Sequence, residues 1–161
     1  MAEPRIFADL KADHDQQRTL LKQIAETSSD SAERGPLFEK LMLDLAAHAA
    51  AEEESLYANM LGNPELRDDA RHSVSEHKEV DDMLGELREM SVSSDDWMTK
   101  FHEMRHRYEH HIDEEEEEMF PAAAKELSAD ETERLGLFFE ERKPKELERA
   151  RENPPGSDER E

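Results

Sequence analysis

The chain has no cysteine among its 161 residues. That absence removes disulfides, thiolate nucleophiles, iron–sulfur clusters and Cys-based zinc sites at once. Long apolar runs are missing too. Nothing approaches the roughly 20 residues of a membrane span, and Met1-Ala2-Glu3-Pro4-Arg5 is not followed by the apolar core of a signal peptide. The expected location is therefore the cytoplasm. Positive charge is scarce: 21 Lys and Arg stand against 43 Asp and Glu, a net charge of −22 with His neutral. Such a surface repels phosphate backbones, so neither nucleic acid nor an anionic membrane is expected as a partner. With 35% hydrophobic and 40% charged residues, 5 Gly and 7 Pro, the composition is lean for a globular protein. It suits a helical bundle, whose long charged faces stay wet at little cost. The length is that of one domain.

What is present is helical periodicity interrupted by histidine. Residues placed about 100° apart collect Ile6, Phe7, Leu10, His14, Gln17, Leu21 and Ile24 on one face of a helix expected over about 4–26. A second helix, about 35–61, opens with Gly35-Pro36 and carries Leu37, Phe38, Leu41, Leu45, His48, Glu52 and Leu56. Gly62-Asn63-Pro64 ends it. The third, about 65–90, aligns Leu66, Ala70, Ser73, His77, Val80, Leu84 and Leu87. The fourth, about 95–120, is expected to start at Ser94 or Asp95 and to kink or end at Pro121. Its seam is Trp97, Phe101, Met104, Tyr108, His111, Glu115 and Met119. That phase selects His111 over His110, and Glu115 over Glu114, Glu116, Glu117 and Glu118, which read as a solvated face. His72, His102, His106 and His110 read as surface residues. Ser128-Ala129-Asp130-Glu131 is a capping box for a fifth helix over about 129–142, with Leu135, Leu137, Phe138 and Phe139. The pattern fades from Pro144, which gives a folded unit over 1–143 and an acidic, disordered tail over 144–161.

The first two helices overlay the next two at a constant shift of 63. His14 meets His77, Leu21 meets Leu84, Phe38 meets Phe101, His48 meets His111, Glu52 meets Glu115 and Tyr57 meets Phe120. The fold class is therefore all-α: an antiparallel up-down four-helix bundle made of two related hairpins, with an additional C-terminal helix. In such a bundle His14, His48, Glu52, His77, His111 and Glu115 converge on the axis. A lone histidine on an apolar face is ordinarily a hydrogen-bonded core residue. Four of them with two inward glutamates would leave unpaired polar groups in the core unless a cation were present. Imidazole nitrogens and carboxylate oxygens suit iron, manganese or zinc, and the i, i+4 His–Glu pairs suit two metals bridged by both carboxylates.

The sequence resembles the hemerythrin family in its HHE cation-binding form. The resemblance runs from about Asp9 to Phe139. It rests on Asp13-His14-Asp15, His48-Ala49-Ala50-Ala51-Glu52-Glu53-Glu54-Ser55-Leu56-Tyr57, Glu76-His77, and His111-Ile112-Asp113-Glu114-Glu115-Glu116-Glu117-Glu118-Met119-Phe120-Pro121. It implies a non-haem di-iron centre, oxo- or hydroxo-bridged, in which His14 and His48 hold one iron, His77 and His111 the other, and Glu52 and Glu115 bridge them. One departure stands out. Oxygen-carrying members have a second histidine one turn earlier on the third helix, where this chain has Ser73. Water, Tyr57 or a further carboxylate such as Glu53 are the candidates to fill that gap. Tyr57 lies roughly 140° round an ideal helix from Glu52, so it reaches the metal only with local distortion; otherwise it packs at the bundle end like Phe120.

The expected function is reaction with O₂ or peroxide, with nitric oxide as a further small-molecule partner, in a catalase-like enzyme or a sensor. Iron sensing or buffering without turnover is the alternative, and a zinc or manganese protein the third. No acid or base beyond the metal shell can be named, save Glu53 and Glu116 by proximity alone.

Overall fold

The computed structural model describes residues 3–156. Seven helical segments follow in order: α1 (Arg5–Ala25), α2 (Arg34–Glu52), α3 (Ala58–Leu61), α4 (Arg67–Glu89), α5 (Asp95–Glu114), α6 (Phe120–Glu126) and α7 (Ala129–Glu152). Two π-helical turns, Glu53–Tyr57 and Glu115–Met119, join α2 to α3 and α5 to α6. The chain thus makes four long rods and a fifth helix, with no strand among the described residues. The short connections between successive rods fold them back as antiparallel neighbours. α1 pairs with α2 and α4 with α5, the hairpins meet through α1 and α5, and α7 lies over α1 and α2.

Local chemistry places the ends. Pro4, with φ −55°, precedes the first turn of α1. The Ser94 hydroxyl caps α5 by accepting from the Trp97 N–H at 3.2 Å. At α7, Glu131 N–H donates to Ser128 Oγ and Ser128 N–H donates to Glu131 Oε1, both at 3.1 Å, completing the capping box. At the loop end Arg34 donates to Thr27 O and Val92 O, each at 2.7 Å, and lies over the Trp97 ring.

Three expectations are corrected. Pro121 does not end the fourth rod, which continues to Glu126. The π-turn just before it widens the helix, and Pro121 enters at the start of the next α segment, where its missing N–H is least costly. The fifth helix does not stop near 142 but runs to Glu152 through Pro144. The carbonyl that Pro144 frees belongs to exposed Glu140, where water can satisfy it. Beyond Phe139 the helix is fastened by charge rather than by an apolar stripe. Arg142 reaches Glu54 at 2.7 Å, and Lys143 reaches Asp13 and Asp44 at 2.7 and 3.0 Å. Leu137 and Phe138 face outward. The start of the supposed tail is ordered as well. Pro155 is buried, and Gly156 lies so close to α4 that a Cβ on Gly85 would fall 2.9 Å from the Gly156 Cα. Residues 157–161 of the expected tail lie outside the described residues.

Two apolar clusters fill the interior. One gathers Ile6, Phe7, Leu10, Met60, Phe120 and Phe139; the other Leu21, Ile24, Leu41, Trp97, Phe101 and Met104. The stripes of all four rods switch from the second cluster to the first at their histidines. The polar layer is therefore sealed between two hydrophobic plugs.

Candidate metal centre

The structure brings the six predicted residues into that layer and buries every one: His14, His48, Glu52, His111 and Glu115 are at most 1% exposed, and His77 is 7%. Ligand atoms of Glu52, His77, His111 and Glu115 all lie within 4.8 Å of one another. His48 Nε2 is 3.6 Å from Glu52 Oε1, and the His14 and His48 rings are 5.1 Å apart. His14 and His48 thus form the other side of the layer, outside that tight group of four.

Each imidazole is held from behind by a carboxylate. His14 Nδ1 is 2.7 Å from Glu116, His48 Nδ1 2.8 Å from Asp13, His77 Nδ1 2.9 Å from Glu53, and His111 Nδ1 2.9 Å from Glu76. An N–H donated at Nδ1 leaves the Nε2 lone pair free toward the interior, the arrangement that metal-binding histidines use. These carboxylates obey the internal repeat too: Asp13 and Glu76, like Glu53 and Glu116, are 63 positions apart. The pairs are exchanged between hairpins, since Glu53 of the first half orients His77 of the second, and Glu116 orients His14.

The interior ends of these groups make no well-aligned hydrogen bond, although His111 Nε2 lies 2.6 Å from Glu115 Oε1 and His77 Nε2 3.3 Å from Glu52 Oε1. Among the described residues the buried side-chain polar atoms without a hydrogen bond are Asp9 Oδ2 and nine others: Nε2 of His14, His48, His77 and His111, both oxygens of Glu52 and of Glu115, and the Tyr57 hydroxyl. Buried polar groups are normally paired, and nine orphans in one layer are the polar surface that a cation would satisfy. The electrostatics agree. Burial, and then the charge of Glu115, drive Glu52 well above the usual carboxylate range. Burial pushes Glu115 the same way, but His111 outweighs it and holds Glu115 well below. His111 in turn is raised to about 9, burial being overcome by Glu115. Two carboxylates this close cannot both stay charged without a cation between them. The donor set, imidazole nitrogens with carboxylate oxygens, fits iron, manganese or zinc.

Tyr57 and Glu53 resolve differently. Glu53 is turned away from the interior, onto His77. Tyr57 is fully buried, its ring 5.4 Å from that of His77. Its phenol is pushed well above its ordinary pKa by burial and by the nearby charges of Glu115 and Glu52. The π-turn that starts immediately after Glu52 supplies the distortion an ideal helix lacks, because its i to i+5 repeat brings residue 57 back over residue 52. The Ser73 hydroxyl donates to Met119 Sδ at 3.2 Å. Glu116 is not the solvated residue the acidic run suggested, since it holds His14 and Arg18.

Sequence reasoning had assigned no role to Asp13 or Glu76, and offered Glu53 and Glu116 only as neighbours. All four lie off the apolar seams. Their recurrence at the 63-residue shift was the signal that could have found them.

Fold and site together define a helical-bundle protein with a buried histidine–carboxylate cluster that could hold metal. The sequence model of the hemerythrin HHE cation-binding domain matches residues 5–123, and the chain belongs to that family. The crystal structure of an HHE cation-binding domain-containing protein from Mycobacterium kansasii superposes with a TM-score of 0.79 at 26% identity, covering 94% of this chain and 91% of that one. A protein named DNA nickase, from Nostoc sp., is 26% identical over 141 residues, 84% of this chain. The chain spans 38% of that relative's length. No helix among the described residues is long and apolar enough to cross a membrane.

Proposed function

We propose that the centre holds two non-haem irons, one on His14 and His48, the other on His77 and His111, with Glu52 and Glu115 shared between them. The proposed activity is reaction with O₂ or peroxide, as a catalase-like enzyme. The observation that carries this reading is the set of nine polar atoms without a well-aligned hydrogen bond: two histidine pairs around two glutamates, with the Tyr57 hydroxyl beside them. When bound, such a pair of irons supplies redox equivalents and Lewis acidity to a small oxidant.

The residues of this chain supply the rest. Asp13, Glu53, Glu76 and Glu116 fix the tautomers and ring planes of the four histidines. Ser73, where oxygen carriers place a histidine, leaves one coordination position to Tyr57 or to a small ligand, and that argues for reaction over stable O₂ carriage. A cavity of about 690 Å³ between α2, α4 and the end of α7 is lined by Ala46, Ala49, Ala50 and Val80, by charged Asp82 and Arg149, and by His77 and Tyr108. This is the route by which O₂, peroxide or nitric oxide would arrive, and His77 is the most exposed of the six site residues. The nicking of DNA named for the Nostoc relative is not carried over, given the partial coverage of that protein and a net charge of −22 here.

Two irons per chain in protein purified without added metal, and O₂ evolution from peroxide well above free iron, are expected. One zinc per chain would overturn the reading. Two irons with no turnover would favour the alternative of iron or oxygen sensing, or iron buffering, on the same scaffold.

A further inference from the structure

Outside the buried centre a second group of ligand atoms stands at the surface between α4 and α5. His72 Nε2 lies 3.3 Å from Glu76 Oε1 and 3.4 Å from Glu114 Oε1, and His110 Nε2 lies 3.5 Å from the other Glu114 oxygen. The side chains of His72 and Glu114 are 56% and 33% exposed, whereas that of Glu76 is 6%. The cluster therefore spans from solvent to the interior. Glu76 is also the residue that holds His111.

Two independent observations give this cluster a direction. The first is a cavity of about 100 Å³ that runs inward from it. Asp69 and Glu118 stand with His72 and Glu114 at its mouth, the small Ser73 and Met119 line its side, and His111 and Glu115 close its inner end. Both Glu115 oxygens and His111 Nε2 are buried without a well-aligned hydrogen bond, and Glu115 Oε1 has a close neighbour in His111 Nε2 at 2.6 Å. The second comes from the internal repeat. Asp13, the counterpart of Glu76, already has a cation: Lys143 Nζ lies 2.7 Å away, delivered by α7. α7 packs on α1 and α2, and Glu76 is met instead by the open imidazole of His72. The half of the molecule covered by α7 sets an ammonium group at this position, and the other half sets the half-exposed imidazole of His72 there.

We propose that His72, Glu76 and Glu114, with His110 at their rim, form a second divalent-cation site that captures metal from solvent and passes it through this cavity to Glu115 and His111. The inference rests on the buried centre being a metal site. Acidic side chains at the mouth raise the local cation concentration. A site that shares one oxygen with an ion pair and stays one-third open to water holds metal more weakly than the buried set, as a loading port must.

The experiment has two arms. In a chain carrying Glu52→Gln and Glu115→Gln, which weaken the buried centre, sub-stoichiometric Mn²⁺ should broaden the imidazole NMR signals of His72 and His110 ahead of His14 and His48. In apo protein with both glutamates intact, stopped-flow uptake of Fe²⁺ should slow at least tenfold in His72→Ala/Glu114→Gln, within the about 10–10³ that charge focusing contributes to association rates, with the final iron content unchanged. Both replaced side chains are partly exposed, so the fold should survive, and circular dichroism would confirm it. Undisturbed His72 signals, or equal uptake rates, would overturn the port. If the intact chain took up no buried iron while His72 still broadened, the buried centre and the transfer step would both fail, and only capture would stand.

Discussion

Glu116 Oε2 lies 2.7 Å from Nδ1 of His14, across the bundle on a helix that His14 does not share. His14 is held neutral by burial, which lowers its pKa despite that carboxylate. The contact fixes which nitrogen faces the centre. Glu116→Gln keeps the shape and an acceptor oxygen but loses the charge. It should weaken metal binding by about 10–100-fold, the usual cost of losing such a partner, and leave helicity unchanged. Glu117→Gln, one residue along and exposed, should do nothing. Equilibrium metal titration against a chelator reads both, and equal affinities in the two variants would remove the orienting role.

Tyr57 places an unpartnered hydroxyl in the buried layer. Purified ferric protein is expected to show a visible phenolate-to-iron absorption band that Tyr57→Phe abolishes. In the chelated protein the same variant should be more stable, because an unsatisfied buried hydroxyl costs about 1–3 kcal/mol. A band that persists in Tyr57→Phe would return Tyr57 to the packing role it shares with Phe120.

The residues that were legible in the sequence are those whose chemistry and packing share one periodicity. His14, His48, Glu52, His77, His111 and Glu115 lie in phase with apolar stripes, so the seam that builds the bundle also points to the centre. What was illegible breaks that coupling. The π-turn after Glu52 changes the phase by which Tyr57 is read, and nothing in the run Glu52-Glu53-Glu54 announces it. The second π-turn hides in the same way how Pro121 is accommodated. Asp13 and Glu76 stand one residue before seam histidines and act across to another helix, a relation set by tertiary packing. α7 outran its expected end because ion pairs, which leave no hydrophobic stripe, hold its second half to α2 and α1.

Asp9 faces Glu140 between α1 and α7, away from the metal layer. Burial and then the Glu140 carboxylate raise Asp9 to about 7, while hydrogen bonds from Arg5 and then Asp9 hold Glu140 down to about 2. The two acids are expected to share one proton. A folded pKa above the unfolded one means that the native state binds the extra proton, so the Asp9 contribution is complete below about pH 4 and is lost as pH rises through about 7. Glu140 contributes in the opposite sense, losing its share only as pH falls toward about 2. Asp9→Asn keeps a donor at every pH. Its melting temperature should match the unmodified protein near pH 4 and exceed it by pH 8. A difference constant with pH would show that the two carboxyls do not share a proton.

The same reasoning, applied to the buried glutamates, gives a reversal of sign between loaded and stripped protein. Glu52 is fully buried against Glu115, and both of its oxygens lack hydrogen-bond partners. With a cation present those oxygens are ligands. Without one they are like charges in a low-dielectric layer, and one must take a proton or the fold must loosen. Glu52→Gln removes the ionisable group while keeping its volume. In chelated protein it should raise the melting temperature by several degrees, at about 2–4 °C per kcal/mol for a chain of this size. In metal-loaded protein it should lower it, because the metal's own stabilisation falls with its affinity. Differential scanning calorimetry with and without chelator measures all four states. A variant destabilised equally in both conditions would mean that Glu52 serves packing alone; the expected crossing of the two effects ties its carboxylate to a cation.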